Sequence, residues 1–179
     1  LLRSQKVELG YSWDFAPSWH FKTAFYRQWI NNAPYFTNAR VALLNDSEFY
    51  PGKFSPSYNT GLGANQGIEI TLERHLANGW FLLADASFFD SKFTTTSSPD
   101  KNDWLPTRWD LGHLSNLTFG KEWQREKRPG KERTIGLNAR VIWSGGAREA
   151  EIDRTASEDN YTTIQDEKFG YIKQYPDYF

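Results

Sequence analysis

The feature that most constrains this chain is a period of two. Between Gly67 and Phe93 it reads GIEITLERHL, then ANG, then WFLLADASFFDSKF. Ile68, Ile70 and Leu72 alternate with Glu69, Thr71 and Glu73. On the return, Trp80, Leu82, Ala84, Ala86 and Phe88 alternate with polar positions that include Asp85 and Ser87. This is the pattern of strands with one apolar face. Ala77-Asn78-Gly79 between them supplies turn chemistry, because Asn and Gly tolerate the positive φ of tight hairpins. Such a hairpin fits the wall of a membrane β-barrel and fits half of a soluble β-sandwich equally well.

The same period recurs along the chain. Val7, Leu9, Tyr11, Trp13 and Phe15 oppose Glu8, Gly10, Ser12 and Asp14. After Ala16-Pro17-Ser18, Trp19, Phe21, Thr23 and Phe25 oppose His20, Lys22, Ala24 and Tyr26, with Gln28 beyond. A weaker strand is expected from about Leu114 to Trp123. The charged run Gln124–Arg133, containing Pro129-Gly130, reads as its turn. Ile135, Leu137, Ala139, Val141 and Trp143 then oppose Thr134, Gly136, Asn138 and Arg140. Order is expected to fade over Asn31–Gln66, Thr94–Trp109 and Ala147–Tyr175, with Arg40–Asn45 a short strand or a helical turn. Connections that long usually carry function.

Composition narrows the choice. The chain has 179 residues, 21 basic and 22 acidic, net −1, which argues against a general nucleic-acid binder. Aromatics make up 17% while all hydrophobic residues reach only 39%, so large apolar side chains are concentrated at selected positions. No apolar run is long enough for a membrane helix. A transmembrane strand needs only about 9–11 alternating residues and escapes that test. Cysteine is absent, excluding disulfides and Cys-based zinc sites. Methionine is absent too, the chain begins at Leu1, and Tyr175-Pro-Asp-Tyr-Phe179 ends without a polar tail; a piece of a longer protein is expected.

Two regularities separate the architectures. Connections alternate short and long, so in a meander all short turns fall at one end, as in outer-membrane barrels. Aromatics flank the short turns (Phe15, Trp19, Trp80, Phe81, Trp123) and gather again near the opposite strand ends (Phe25, Trp29, Phe88, Phe89, Trp143). Two such girdles suit a lipid-facing wall. The soluble sandwich accounts for the alternation but not for this sorting.

The Gly67–Phe93 hairpin, together with Ile135-Gly-Leu-Asn-Ala-Arg-Val141 and Ser144-Gly-Gly146, resembles the C-terminal β-barrel of TonB-dependent outer-membrane receptors, especially the Bacteroidetes type. Asn59-Thr-Gly-Leu-Gly-Ala-Asn-Gln-Gly67, Thr107-Arg-Trp-Asp110 and Pro176-Asp-Tyr-Phe179 fit the same picture. The resemblance covers most of the chain, and its motifs are barrel-wall patterns that do not specify cargo. It implies energised import of a scarce nutrient, such as an iron chelate, cobalamin or a glycan, across the bacterial outer membrane. This chain would form about six of some twenty-two strands. The family's plug domain and TonB box, through which the TonB complex is engaged, have no match here.

Dedicated chemistry is not expected. His20, His75 and His113 lie far apart without metal-ligand spacing, and read as lumen-wall or rim residues. No Gly-x-Ser-x-Gly elbow accompanies the Ser, His and Asp residues. Gly61, Gly63 and Gly67 do not make a phosphate loop. Glu149, Glu151, Asp153, Glu158 and Asp159 form an acidic stretch without calcium-loop spacing. The loop aromatics Tyr35, Phe36, Phe49, Tyr50, Trp104 and Trp109 are candidates for gripping cargo by stacking, or for packing the loops on themselves.

The expected fold is all-β: an antiparallel up-and-down meander over residues 1–179, a six-strand segment of a large transmembrane β-barrel with long extracellular loops. No catalytic residue, cofactor or metal is expected. The wall would present a polar lumen lined by Glu8, Asp14, Lys22, Glu69, Glu73, Asp85, Asn138 and Arg140. A soluble β-sandwich carbohydrate-binding module is the alternative, and a passive porin a third reading.

Overall fold

The computed structural model describes residues 1–36, 41–42, 57–96, 103–128, 131–166 and 170–179. In chain order its first strands are β1 (Arg3–Ala16), β2 (Trp19–Phe36), the two-residue β3 (Val41–Ala42), β4 (Ser57–Ala77), β5 (Trp80–Thr95), the two-residue β6 (Leu105–Pro106), β7 (His113–Arg128) and β8 (Lys131–Ser144). The six long ones lie in the order β1-β2-β4-β5-β7-β8, every neighbouring pair antiparallel, while β3 adds to β2 and β6 to β5. The chain is thus an all-β, antiparallel up-and-down meander, as its periodicity implies.

The turns follow their residues. Asn78 and Gly79 have φ of 53° and 72°, and two consecutive positive φ values are what the type I′ hairpin demands. Pro17 and Ser18 close the first hairpin, with Ser18 at φ 112°.

The strands outrun the alternation, and this corrects three expectations. β2 continues to Phe36 and β4 starts at Ser57, inside the stretch expected to lose order. Gly61, Gly63, Ala64, Asn65 and Gln66 offer no apolar stripe, yet their backbone pairs along β2 and β5. Register shifts at Asn31–Ala33 and Ala33–Tyr35 erase the period around Pro34. Of the Arg40–Asn45 segment, Val41–Ala42 is strand, the first of the two alternatives.

At the other end, β7 continues to Arg128 and β8 begins at Lys131, inside the Gln124–Arg133 stretch that reads as turn. Arg125 stands opposite Arg133, so like charges oppose the ladder there and backbone hydrogen bonding carries it. The third correction falls in Ala147–Tyr175. It contains β9 (Arg148–Glu149), β10 (Glu151–Ile152), α1 (Arg154–Asn160), β11 (Gln165–Asp166) and β12 (Lys173–Gln174), with β9 paired to β12 and β10 to β11. Asp153 is the N-cap of α1, its carboxylate accepting from the Ala156 N–H at 2.9 Å.

Burial is concentrated at the long-connection end. Among the described residues the buried apolar ones are Ala24, Ala33, Phe93, Ala150 and Tyr171, and the buried polar ones Arg74, Thr94, Thr107, Asp110 and Ser144. Two strand glycines have a packing reason. A Cβ at Gly120 would lie 2.0 Å from the Phe81 ring, and one at Gly67 would lie 2.8 Å from the Tyr26 hydroxyl. Each glycine is roofed by an aromatic from the neighbouring strand. Gly120→Ala is expected to destabilise the sheet by about 1–3 kcal/mol through overpacking, although Ala is the better strand residue by about 0.5–1 kcal/mol. In equilibrium unfolding, the cost should shrink by at least half in a Phe81→Leu background. An unchanged cost would mean that Phe81 does not hold this position closed.

Candidate functional site

The register propagates facing across the sheet. Odd positions of β1 and β2 meet even positions of β4 and β5, which meet odd positions of β7 and β8. One face therefore gathers the apolar stripes of all six strands. It holds Val7 to Trp13 on β1, Trp19 to Phe25 on β2, Ile68 to Leu72 on β4, Trp80 to Phe88 on β5, Ser115 to Phe119 on β7 and Ile135 to Trp143 on β8, at alternate residues. No Asp, Glu, Lys, Arg or His occupies any of these positions, although Arg27 opposite Val7, His113 opposite Phe88 and Lys121 opposite Trp80 and Leu137 share the face at its two ends. The face stays open: Leu9 is 75% exposed, Leu137 64% and Val141 55%. Its one threonine, Thr23, donates its hydroxyl to the Glu69 carbonyl at 2.9 Å and so leaves no free polar group.

Aromatic rings border this face at both ends. At the turn end Trp13, Phe15, Trp19, Trp80 and Phe119 form a chain of ring contacts with centroids 5.4 to 6.1 Å apart. Arg74 is buried among them, its guanidinium 3.4 Å from the Trp80 centroid and donating to the Ala77 and Trp80 carbonyls. At the long-connection end Phe88, His113, Trp143 and Phe179 are linked in the same way. From Trp80 to Phe88 on β5 the strand climbs eight residues, about 26 Å at roughly 3.3 Å each. With a tilt of about 35–45°, that becomes a height of about 20 Å.

Two girdle assignments are corrected. Phe81 and Phe89 have odd parity on β5 and lie on the polar face, Phe81 over Gly120. Consecutive residues in a strand cannot share a face, so of each aromatic pair only Trp80 and Phe88 belong to the bands.

The opposite face is polar and cross-linked by side chains. Glu8, Asp14, Lys22, Glu69, Glu73, Asp85, Asn138 and Arg140 share it by parity, as expected. One row runs from Ser4 through Gln28 and Asn65 to Ser91 and Thr107, each link 2.7 to 3.0 Å. A second joins Asp85, Asn116 and Arg140 at 2.8 and 2.6 Å. His20 bridges Asp14 at 2.6 Å and Ser12 at 3.3 Å. The connectivity is that of a Ser-His-Asp relay, but the Asp14 side chain is 83% exposed and water competes for it, so the arrangement ties β1 to β2 near their turn. His75 is exposed, and His113 sits in the upper aromatic band of the apolar face, 3.6 Å from Asp177.

The four residues expected to touch cargo are not brought together as one loop cluster. Tyr35 and Phe36 are strand residues at the end of β2, opposite Tyr58 and Ser57, which corrects their reading as loop. Trp104 and Trp109 flank β6 on the β5–β7 connection and are exposed, with the Arg108 guanidinium 5.9 Å from the Trp109 ring. Phe49 and Tyr50 lie outside the described residues. Of the acidic stretch, Asp153 caps α1 and Glu149 accepts from the Tyr175 hydroxyl at 2.8 Å.

Sequence reasoning missed a polar knot at the long-connection end. Buried Asp110 accepts from the Ser91 N–H at 3.3 Å and pairs with Arg148 at 3.2 Å, while Arg148 also donates to the Asp110 carbonyl at 2.7 Å. Thr107 is buried beside it on Ser91. The knot fastens two long connections to β5. The one signal for it in the sequence is Thr107-Arg-Trp-Asp110, whose first and last residues it uses.

No protein-family model matches this chain, and no curated protein or solved structure matches it either.

Burial raises the Asp110 carboxyl above its ordinary value, against the lowering effect of Arg148. A raised folded-state value means that the native state binds the proton more readily than the unfolded chain. The stability contributed by this group is then full below the unfolded carboxylate value near 3.8 and is lost as pH rises through the folded one. Relative to Asp110→Asn, the parent should therefore lose stability as pH is raised from about 4 toward neutrality. Parallel unfolding curves across that range check this; a parent that gains on the variant would mean the Arg148 pairing wins.

Proposed function

We propose that this chain is a wall segment of a large transmembrane β-barrel of the TonB-dependent receptor type, working in energised uptake of a scarce nutrient across the bacterial outer membrane. One observation carries the reading: an open apolar face continuous over six strands, its charged residues confined to the two ends and bordered there by aromatic rings. A soluble sandwich has to cover such a face with a second sheet, and among the described residues all six long strands are spent on one sheet. Lipid covers it at no further cost in chain. The polar rows and charges of the other face then line the water-filled interior. The wall itself is passive, and contact with the TonB complex belongs to a plug region outside this chain. Cargo would be met by the long connections, where Trp104 and Trp109 present exposed indoles and Tyr35 and Phe36 stand at the rim.

Facing on β8 provides the test. Val141→Arg places a charge on the apolar face and should destabilise the barrel by about 2–4 kcal/mol if it lies near the bilayer midplane. Asn138→Arg, three residues away on the polar face, should cost about 0–1 kcal/mol. Val141→Phe separates lipid from a packed core, because lipid accommodates the ring whereas a core loses about 1–3 kcal/mol to overpacking. Unfolding of the full-length protein in lipid vesicles makes the comparison. Equal harm from the two arginines, or clear harm from the phenylalanine, would defeat the reading.

The polarity of the connections is a separate expectation. Short turns should face the periplasm and long connections the outside. An epitope inserted between residues 97 and 100 should be labelled on intact cells, and one at Gly130 should be silent until the outer membrane is opened. Labelling at Gly130 on intact cells would invert the assignment.

A further inference from the structure

We propose that Arg125 and Arg133, on the projecting β7–β8 hairpin, hold the phosphodiester headgroup of an anionic phospholipid. The inference rests on the barrel-wall reading and deepens it by naming a lipid partner at one place on the wall.

The hairpin outruns its neighbour. β5 accompanies β7 down to the Trp80–Lys121 pair, and the Glu122 N–H donates to the Gly79 carbonyl at the β4–β5 turn. Below that level β7 and β8 pair with each other alone among the described residues, through Trp123–Ile135, Gln124–Thr134 and Arg125–Arg133. Two apolar side chains head this extension, Trp123 at 49% exposed and Ile135 at 52%. They carry the apolar face past the turn-end band of rings.

Charge on the extension is sorted by face. Lys121, Arg125 and Arg133 have the odd parity of the apolar stripes on β7 and β8. Glu122 and Glu132 have the even parity of the polar face. Solubility would be served by any mixture of signs. Cations on the membrane side with carboxylates on the other side suit an anionic surface.

The arginine pair also lacks an internal partner. Arg125 and Arg133 stand directly opposite each other. Strand geometry puts their Cβ atoms about 5 Å apart, where like charges weaken the ladder. Both are exposed, and neither side chain has an ion pair, hydrogen bond or ring contact among the described residues. Elsewhere on this face charges are answered within the chain: Arg74 and Lys121 by carbonyls, Lys92 by Asp90, Arg27 by Trp29. A phosphate between the two guanidinium forks removes the repulsion and accepts from both.

Height makes lipid the source of that phosphate. Arg125 lies four residues below Lys121, about 13 Å along the strand. At a tilt of about 35–45° that is roughly 10 Å of height. The headgroup layer outside the hydrocarbon is about 5–8 Å thick on each side. Trp123 therefore stands within that layer. The arginines stand at its outer edge, with stems long enough to return the charge to the phosphates. A free phosphate ion would need neither the exposed indole nor the sorting by face.

The test places the full-length protein in vesicles of phosphatidylcholine and phosphatidylglycerol in equal parts. A photoreactive diazirine is carried on the headgroup of one lipid at a time, and labelling of the peptide containing Trp123 is read by mass spectrometry. Phosphatidylglycerol should label it about 25-fold more than phosphatidylcholine, at about fivefold per arginine. Arg125→Gln with Arg133→Gln should remove the preference. Arg125→Glu separates lost binding from lost structure. It sets opposite charges across the rung, so the unfolding midpoint in pure phosphatidylcholine should be no lower than the parent's while the preference disappears. Gln124→Arg with Arg125→Gln moves one cation to the other face at constant net charge, and should cut the preference about fivefold. Excess inorganic phosphate should not compete. Equal labelling by the two lipids overturns the proposal, as does a preference that survives the double substitution or the exchange of faces. Competition by phosphate overturns the lipid as occupant in favour of a soluble anion. A diazirine on the acyl chain is read in parallel at Leu137–Val141. Labelling there without a headgroup preference removes the lipid site and keeps the wall. No labelling there defeats the barrel-wall reading, and this inference with it.

Discussion

The backbone ladder is the constraint on which everything else depends. Once β1 pairs with β2 and each later strand with its predecessor, every side chain is committed to one of two faces, and a slip of one residue anywhere would exchange them. The tight turns hold that commitment. Asn78-Gly79 supplies the two positive φ values its hairpin needs. Phe81 over Gly120 and Tyr26 over Gly67 add locks that a slipped register would not reproduce, since each ring needs a glycine directly opposite.

Charge is sorted by height as well as by face. On the apolar side Arg74, Lys121, Arg27, Asp90 and Lys92 have the parity of the apolar stripes but stand at or beyond the aromatic bands. Each has a local answer. Arg74 spends its donors on two carbonyls at the turn, Lys121 donates to the Asn78 carbonyl, Arg27 lies over Trp29 and Lys92 pairs with Asp90. Between the bands the only side-chain hydroxyls among the stripes on β2 and β7 are Thr23 and Ser115, and Thr23 is bonded to a strand carbonyl. Under the proposed reading, a face whose charges stand at its two ends and meet rings, carbonyls or an ion pair there suits an apolar medium with a polar boundary.

Much of this was legible in the sequence, and the reason is the period. Where one face is apolar and the other polar, as in Ile135–Trp143, alternation reports both the strand and its facing, and the eight expected polar-face residues share one face. The reading stopped where that contrast stops. Gly63–Gln66 is small or polar on both sides, and Arg125–Arg128 and Lys131–Arg133 are charged throughout, yet all are strand because neighbouring backbones extend the ladder. Nearness in sequence groups Phe81 and Phe89 with Trp80 and Phe88, whereas strand parity puts them on the other face. The Asp110–Arg148 knot spans 38 residues, and no local pattern announces so distant a pair. The cargo residues were the least legible, since exposed aromatics on a connection carry no periodic signal.

The two ends of the sheet solve the problem of strand termination differently, and the difference bears on what each can do. At the turn end the hairpins at Pro17-Ser18 and Asn78-Gly79 reverse within two residues, and Arg74 and Lys121 donate to carbonyls there. At the other end the connections are long, and an unpinned loop would carry no defined surface. Here the buried carboxylate of Asp110, a strand amide, and a guanidinium from a different connection fix the roots of two loops to β5. Burial opposes the charge on Asp110, so the knot is held less by net stabilisation than by the cost of leaving either partner alone, which favours one geometry over a set of loose ones. Trp104 and Trp109 project from the segment so anchored. A rim that keeps its roots rigid and its indoles exposed is suited to recognition, and under the proposed reading that places selectivity at the long-connection end and leaves the wall to hold the passage open.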